Sequence, residues 1–122
     1  TGEEERQLQK RGTNDASAYE SYLRGRFYWN LQTEESFAKA LAFYERAIEF
    51  DPDYALAYAA IADFYVYLGI HCVLPFAEGT RRAKIAALKA VELDETSAEA
   101  QNALGIIAIN QDFDWRRGAE HM

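Results

Sequence analysis

Apolar residues in this chain recur at helical spacing between a few polar or proline-containing joints, and each such stretch predicts a helix. The densest is 53–67, DYALAYAAIADFYVY. Tyr58, Ile61, Ala62 and Tyr65 fall on one face there, because residues three and four apart are neighbours on a helix. The small Ala62 admits a second helix, while the three bulky residues surround the contact. Ala40, Tyr44 and Ala47 form a complementary stripe in the preceding stretch, SFAKALAFYERAIEF. That helix is expected to begin on Thr33 as N-cap, with Glu34 and Glu35 in its first turn. It is expected to end at Asp51-Pro52, since proline disfavours helical geometry in the residue before it. Asp53 is then in place to cap the central helix, which should stop near Gly69.

Upstream, Ser17-x-x-Glu20 has the form of a capping box. Behind it Tyr19, Tyr22, Leu23, Phe27 and Leu31 keep helical spacing. Downstream, 70–78 reads as a loop shaped by Pro75. RRAKIAALKAVELD follows as a helix in which Ala83, Ala87 and Ala90 repeat the stripe of Ala40, Tyr44 and Ala47. Thr96-x-x-Glu99 is a second capping-box candidate, opening AEAQNALGIIAIN, where Leu104-Gly105 repeats Ile61-Ala62. A further helix is expected to begin around Gly118-Ala119. Pro52 to Glu95 and Ala62 to Gly105 are both separated by 43 residues, so two landmarks share one internal period. Only two prolines occur, each at a joint, which predicts an all-α fold.

The paired stripes resemble the two halves of a tetratricopeptide repeat, with its W-x2-L-G-x2-Y and A-x3-F pattern and closing proline. The resemblance implies a right-handed superhelix of antiparallel helix pairs. On this reading residues 1–12 are the tail of an upstream segment or a linker, and 13–122 form the repeat domain. Its first repeat covers about 16–52, its second about 53–95, and a truncated third about 96–122. A standard unit has about 34 residues, and the 70–78 loop is expected to absorb the excess. The first helix fits least well: Gly25 stands at the small position, but Arg24 then occupies the preceding aliphatic place, which leaves its inward face open. YESYLRGRFYWN, DPDYALAYAAIADFY, the LPF-containing loop and the late FDW are also similar to the C-terminal repeat regions of bacterial multidomain signalling proteins. Those follow a TolB-like segment behind a winged-helix DNA-binding domain, a Ser/Thr kinase or a nucleotide cyclase. The resemblance implies a regulatory context without naming a ligand.

Composition narrows the function. With 122 residues and 49 % hydrophobic content, the chain supports one domain with a continuous core. A net charge of −7, with Glu3-Glu4-Glu5 at the start, argues against direct contact with nucleic acid. No apolar run approaches the ~18 residues of a membrane span. Cys72 is the one cysteine, so no internal disulfide forms and a reducing compartment is allowed; a cytoplasmic location is expected, with a periplasmic one as the alternative. Opening on Thr-Gly and stopping at His121-Met122 inside a helical pattern, the chain reads as a piece of a longer protein. His71-Cys72 offers too few ligands for zinc, and a reactive thiolate needs a cationic neighbour that the sequence does not supply. Glu34-Glu35 suits a helix N-terminus, and Asp112 with Asp114 lacks the rest of a calcium loop. No cofactor, metal or catalytic residue is expected, and the chain reads as a non-enzyme.

If the repeat resemblance holds, the first helix of each pair lines a concave groove. Asp63 and Tyr67 face it in the second repeat, with Ala59 one turn earlier; the 43-residue shift adds Asn102, Ile106 and Asn110. Asn side chains in that row can hydrogen-bond a peptide backbone, and Tyr67 can stack on it. The basic residues with which chaperone-type repeats clamp a terminal carboxylate are missing from the row. The expected function is therefore non-catalytic protein or peptide recognition in a bacterial regulatory protein. The alternative is self-association, a homodimer formed through Leu104, Ile107 and Trp115.

Overall fold

Side-chain caps and Asp-led turns set the helix boundaries. The computed structural model describes residues 2, 13–71 and 73–120, with 110–120 traced by backbone alone. Among the described residues the chain is all-helical, without strands: α1 (Ala16–Leu31), α2 (Glu34–Phe50), α3 (Ala55–Ile70), α4 (Phe76–Leu93) and α5 (Ala98–Glu120). Apart from Gly2, the tail assigned to 1–12 lies outside them.

Thr33 caps α2 as expected. Its hydroxyl accepts from the Ser36 N–H at 3.0 Å, and the Ser36 hydroxyl accepts from the Thr33 N–H at 2.8 Å. The other starts differ from the sequence reading. Asp15, not Ser17, caps α1, accepting from the Ala18 N–H at 3.0 Å. Thr13 sets up this start: its hydroxyl accepts from the Asp15 N–H and donates to the Asp51 carboxylate. Ser97, not Thr96, caps α5, accepting from the Ala100 N–H at 3.2 Å. Asp53 does not cap α3: the N-cap position is Tyr54, which makes no side-chain cap bond, and the Asp53 N–H donates to the Asp51 carboxylate at 3.1 Å.

That last bond belongs to a turn used twice. The Asp51 N–H donates to Ala47 O, the Tyr54 N–H donates to Asp51 O, and the Asp51 side chain accepts from the backbone two residues on. Forty-three residues later, Asp94, Ala90, Ser97 and Thr96 repeat every one of these bonds. The internal period is thus written in hydrogen bonds as well as in apolar spacing.

The expected 70–78 loop is shorter in the structure. α4 begins at Phe76 behind Pro75, so only residues 71–75 connect it to α3. Gly79 does not break the chain; it lets two backbones meet. A Cβ at Gly79 would stand 2.9 Å from both Gly69 Cα and Tyr65 O. α5 runs without interruption to Glu120, so no separate helix begins near Gly118.

Contacts fix the directions. Tyr22 meets Tyr44 and, further along α1, Trp29 meets Phe37 earlier in α2, so these helices run antiparallel. Gly69 against Gly79 and Tyr65 against Arg82 give the same sense to α3 and α4. Between pairs, Tyr22 meets Tyr54 and Trp29 meets Phe64, so α1 and α3 run parallel side by side. α5 packs on α3 and α4 with Ala100, Ala103 and Ile107. The core is built from alanine stripes with large rings between them. Ala40, Ala47, Ala62, Ala83, Ala87 and Ala90 are fully buried, and Tyr44 is 2 % exposed. Ion pairs such as Arg24–Glu20 and Lys39–Glu35 are exposed single-helix contacts, worth a few tenths of a kcal/mol each.

The open register of α1 is settled by packing. Ala18, Ser21, Tyr22 and Gly25 point inward, while Leu23, Phe27 and Leu31 are exposed despite their helical spacing. Gly25 is the close-approach residue: a Cβ there would lie 2.6 Å from the Tyr44 ring. The analogous expectation for Gly105 is corrected, since a Cβ there meets nothing within 4 Å among the described residues.

Candidate functional site

The parallel α1 and α3, with the start of α5, leave a cleft along one side of the stack. It holds about 490 Å³ of space, the open solvent at its mouth included. Tyr22, Arg26, Trp29 and Asn30 line it from α1, Tyr44 from α2, Leu56, Ala59, Ala60 and Asp63 from α3, and Glu99 from α5.

Each wall is held from behind. The Trp29 ring packs against Phe37, Phe64 and Tyr67, with centroids 5.3–5.8 Å away. Arg26 Nη1 donates to Tyr22 Oη at 3.2 Å, and its guanidinium carbon lies 5.9 Å from the centroid of the Tyr22 ring. This hydrogen bond, helped by the fields of Tyr22, Tyr44 and Asp63, raises the Arg26 pKa further. Burial pushes the Tyr44 hydroxyl well above the ordinary phenol range, so it stays a neutral donor and acceptor. Asp63 is exposed to solvent at its edge yet flanked by the cleft walls. Desolvation raises its pKa, Arg26 partly offsets that, and Glu99 adds to the rise. The result is a mixed surface of aromatic rings, amide, guanidinium and two carboxylates. It suits recognition of a partner's polar and aromatic groups.

Of the sequence-assigned groove row, the structure brings Ala59 and Asp63 into this cleft. Ala59 is a packing residue more than a contact surface, 2 % exposed against Ala90 and Ala100. Tyr67 does not face the cleft. Its ring lies among Trp29, Phe37 and His71, where it braces the cleft wall from behind. Asn102 is exposed but lies outside the cleft lining; Ile106 is half-buried against the core. The side chain of Asn110 lies outside the described residues.

The self-association set is corrected at Ile107, which is 2 % exposed within its own chain, and Leu104 also packs against the core. The reason is the α5 stripe: positions 100, 103 and 107 turn towards α3 and α4. Trp115 lies outside the described side chains. Cys72 and His121 are likewise outside them, and His71 stacks on Tyr67 with centroids 4.1 Å apart. Among the described residues no three His, Cys, Asp or Glu side chains gather as a metal site. No described helix is long and apolar enough to cross a membrane.

Sequence reasoning missed the α1 wall. A signal was present: aligning Gly25 with Ala62 carries Ala59, Asp63 and Tyr67 onto Tyr22, Arg26 and Asn30, and all three line the cleft. In the sequence Glu99 stands out only as the end of a capping box.

Over 86 residues, 70 % of this chain, it is 30 % identical to the transcriptional regulator HilA of Salmonella typhimurium, and to the same extent to HilA of Salmonella typhi. The chain spans 16 % of the length of these relatives. No protein-family model matches it. No solved structure matches it either.

Proposed function

We propose that this chain is a non-catalytic recognition module of a larger bacterial regulatory protein. Its helix pairs stack in the manner of tetratricopeptide repeats, and the cleft between α1, α3 and α5 takes a peptide segment of a protein partner. One observation carries this reading: three helices that run side by side present aromatic, amide and charged side chains to one shared cleft. The repeated turn at Asp51 and Asp94 supports a stack of like units. Similarity to part of a transcriptional regulator supports a regulatory setting, and with it a cytoplasmic one.

Selection of phage-displayed random peptides on the purified chain tests it. Enriched sequences are expected to bind wild type and to lose binding to an Arg26→Ala/Asn30→Ala variant. Both positions are exposed, so that variant should keep the wild-type circular-dichroism spectrum. Enrichment of nothing, or binding indifferent to the double variant, sinks the reading.

A further inference from the structure

The charges in the cleft do not cancel. Asp63 on α3 and Glu99 on α5 bring two carboxylates, while α1 brings one guanidinium, Arg26. Arg26 is already engaged by the hydroxyl and ring of Tyr22. Among the described residues, Asp63 has neither a hydrogen bond nor an ion pair, and Glu99 has only a 3.4 Å contact from Ser97 Oγ. The walls strip water from Asp63, and the Glu99 carboxylate adds to the cost of its charge.

A second, independent observation lies at the base of the cleft. Tyr44 is 2 % exposed, lines the cleft, and its hydroxyl has no hydrogen-bond partner among the described residues. No described buried side-chain oxygen is sealed off without a partner, so this hydroxyl keeps an opening to the cleft. A hydroxyl left this way takes its partner, water or a ligand, from the cleft.

We propose that the cleft receives the cationic side chain of an arginine or lysine in the partner, paired with Asp63 and Glu99 and hydrogen-bonded to the Tyr44 hydroxyl. This rests on the peptide-recognition reading and names the residue class it selects. A guanidinium fits best. It donates in several directions at once, and its plane stacks on a ring such as Trp29. An acidic side chain would meet two like charges beside a guanidinium that is already bonded. The chain's net charge of −7 also steers basic partners inward.

The test is a chemical-shift titration of isotope-labelled protein with N-acetylarginine N-methylamide. The neutral isostere N-acetylcitrulline N-methylamide and the acidic N-acetylglutamate N-methylamide serve as controls. Saturable shifts are expected at the Trp29 indole N–H and at the Tyr44 and Asp63 amides, with the citrulline probe about tenfold weaker, as for loss of one charge-assisted bond. Asp63→Asn and Glu99→Gln should each weaken arginine binding severalfold. Tyr44→Phe should weaken it with an unchanged circular-dichroism spectrum. Equal shifts from the citrulline or glutamate probe, or no effect of Asp63→Asn, overturn the proposal. The peptide selection separates the two readings. Selected peptides that need Arg26 and Asn30 but carry no fixed Arg or Lys overturn this inference and leave the recognition reading standing. If no peptide is selected, the recognition reading falls, and the arginine titration by itself decides the cation site.

Discussion

Two glycines, each inside a helix, should respond in opposite directions to the same substitution. Glycine costs about 1 kcal/mol relative to alanine in a helix interior, so Gly→Ala in open space stabilises by about that amount. Gly105 is such a place: among the described residues a Cβ there meets nothing within 4 Å. Gly25 is not. Its Cβ would stand 2.6 Å from both Cδ1 and Cε1 of Tyr44 and 3.2 Å from Ala40 O. The Tyr44 ring is buried between α1, α2 and α3, with Tyr22 at 6.0 Å between centroids, so it has little room to retreat. Overpacking of this kind costs roughly 1–3 kcal/mol, which outweighs the propensity gain. Gly25→Ala should therefore destabilise by about 0–2 kcal/mol, and the two variants should differ by roughly 1–3 kcal/mol. Urea unfolding followed by circular dichroism at equal protein concentration measures the difference. A Gly25→Ala protein as stable as Gly105→Ala would refute the assigned register of α1, and with it the wall that carries Tyr22, Arg26 and Asn30.

Gly79→Ala should lower the melting temperature more than Gly25→Ala, because its Cβ meets backbone at 2.9 Å and α3 and α4 would have to separate; an equal or smaller loss argues against that contact. Ala62→Leu, at a fully buried position, should cost on the order of 1–3 kcal/mol. A melt matching wild type would remove Ala62 from the α3 core face. Thr33→Ala breaks the reciprocal cap of α2 and should cost about 1 kcal/mol, read from the same urea curves. Asp63 holds its proton more tightly in the fold than in the unfolded chain, so its contribution to stability falls as pH rises from the unfolded pKa through the raised folded one. Asp63→Asn should thus raise the melting temperature at about pH 7, with the gain fading towards about pH 3; a pH-independent difference would contradict this.

The helical class, the joints at Thr33 and Asp51-Pro52, and the 43-residue period were legible in the sequence. Local rules govern them: a cap, a proline and apolar spacing act within one or two turns. The buried alanines at 40, 47, 62, 83, 87 and 90 were legible for the same reason, since small residues at fixed spacing have meaning only where helices touch. The cleft was not. Which way α1 faces depends on Gly25 finding the Tyr44 ring, while Leu23, Phe27 and Leu31 keep a helical stripe and still lie exposed. Tyr67 shows the same limit from the other side. Its spacing sends it to an open surface, but Trp29 and Phe37 from another pair surround it. Periodicity tells how residues on one helix share a face. Only the packing of α1 against α2 and α3 decided which face met a neighbour, and so which carboxylates and rings came to share a cleft.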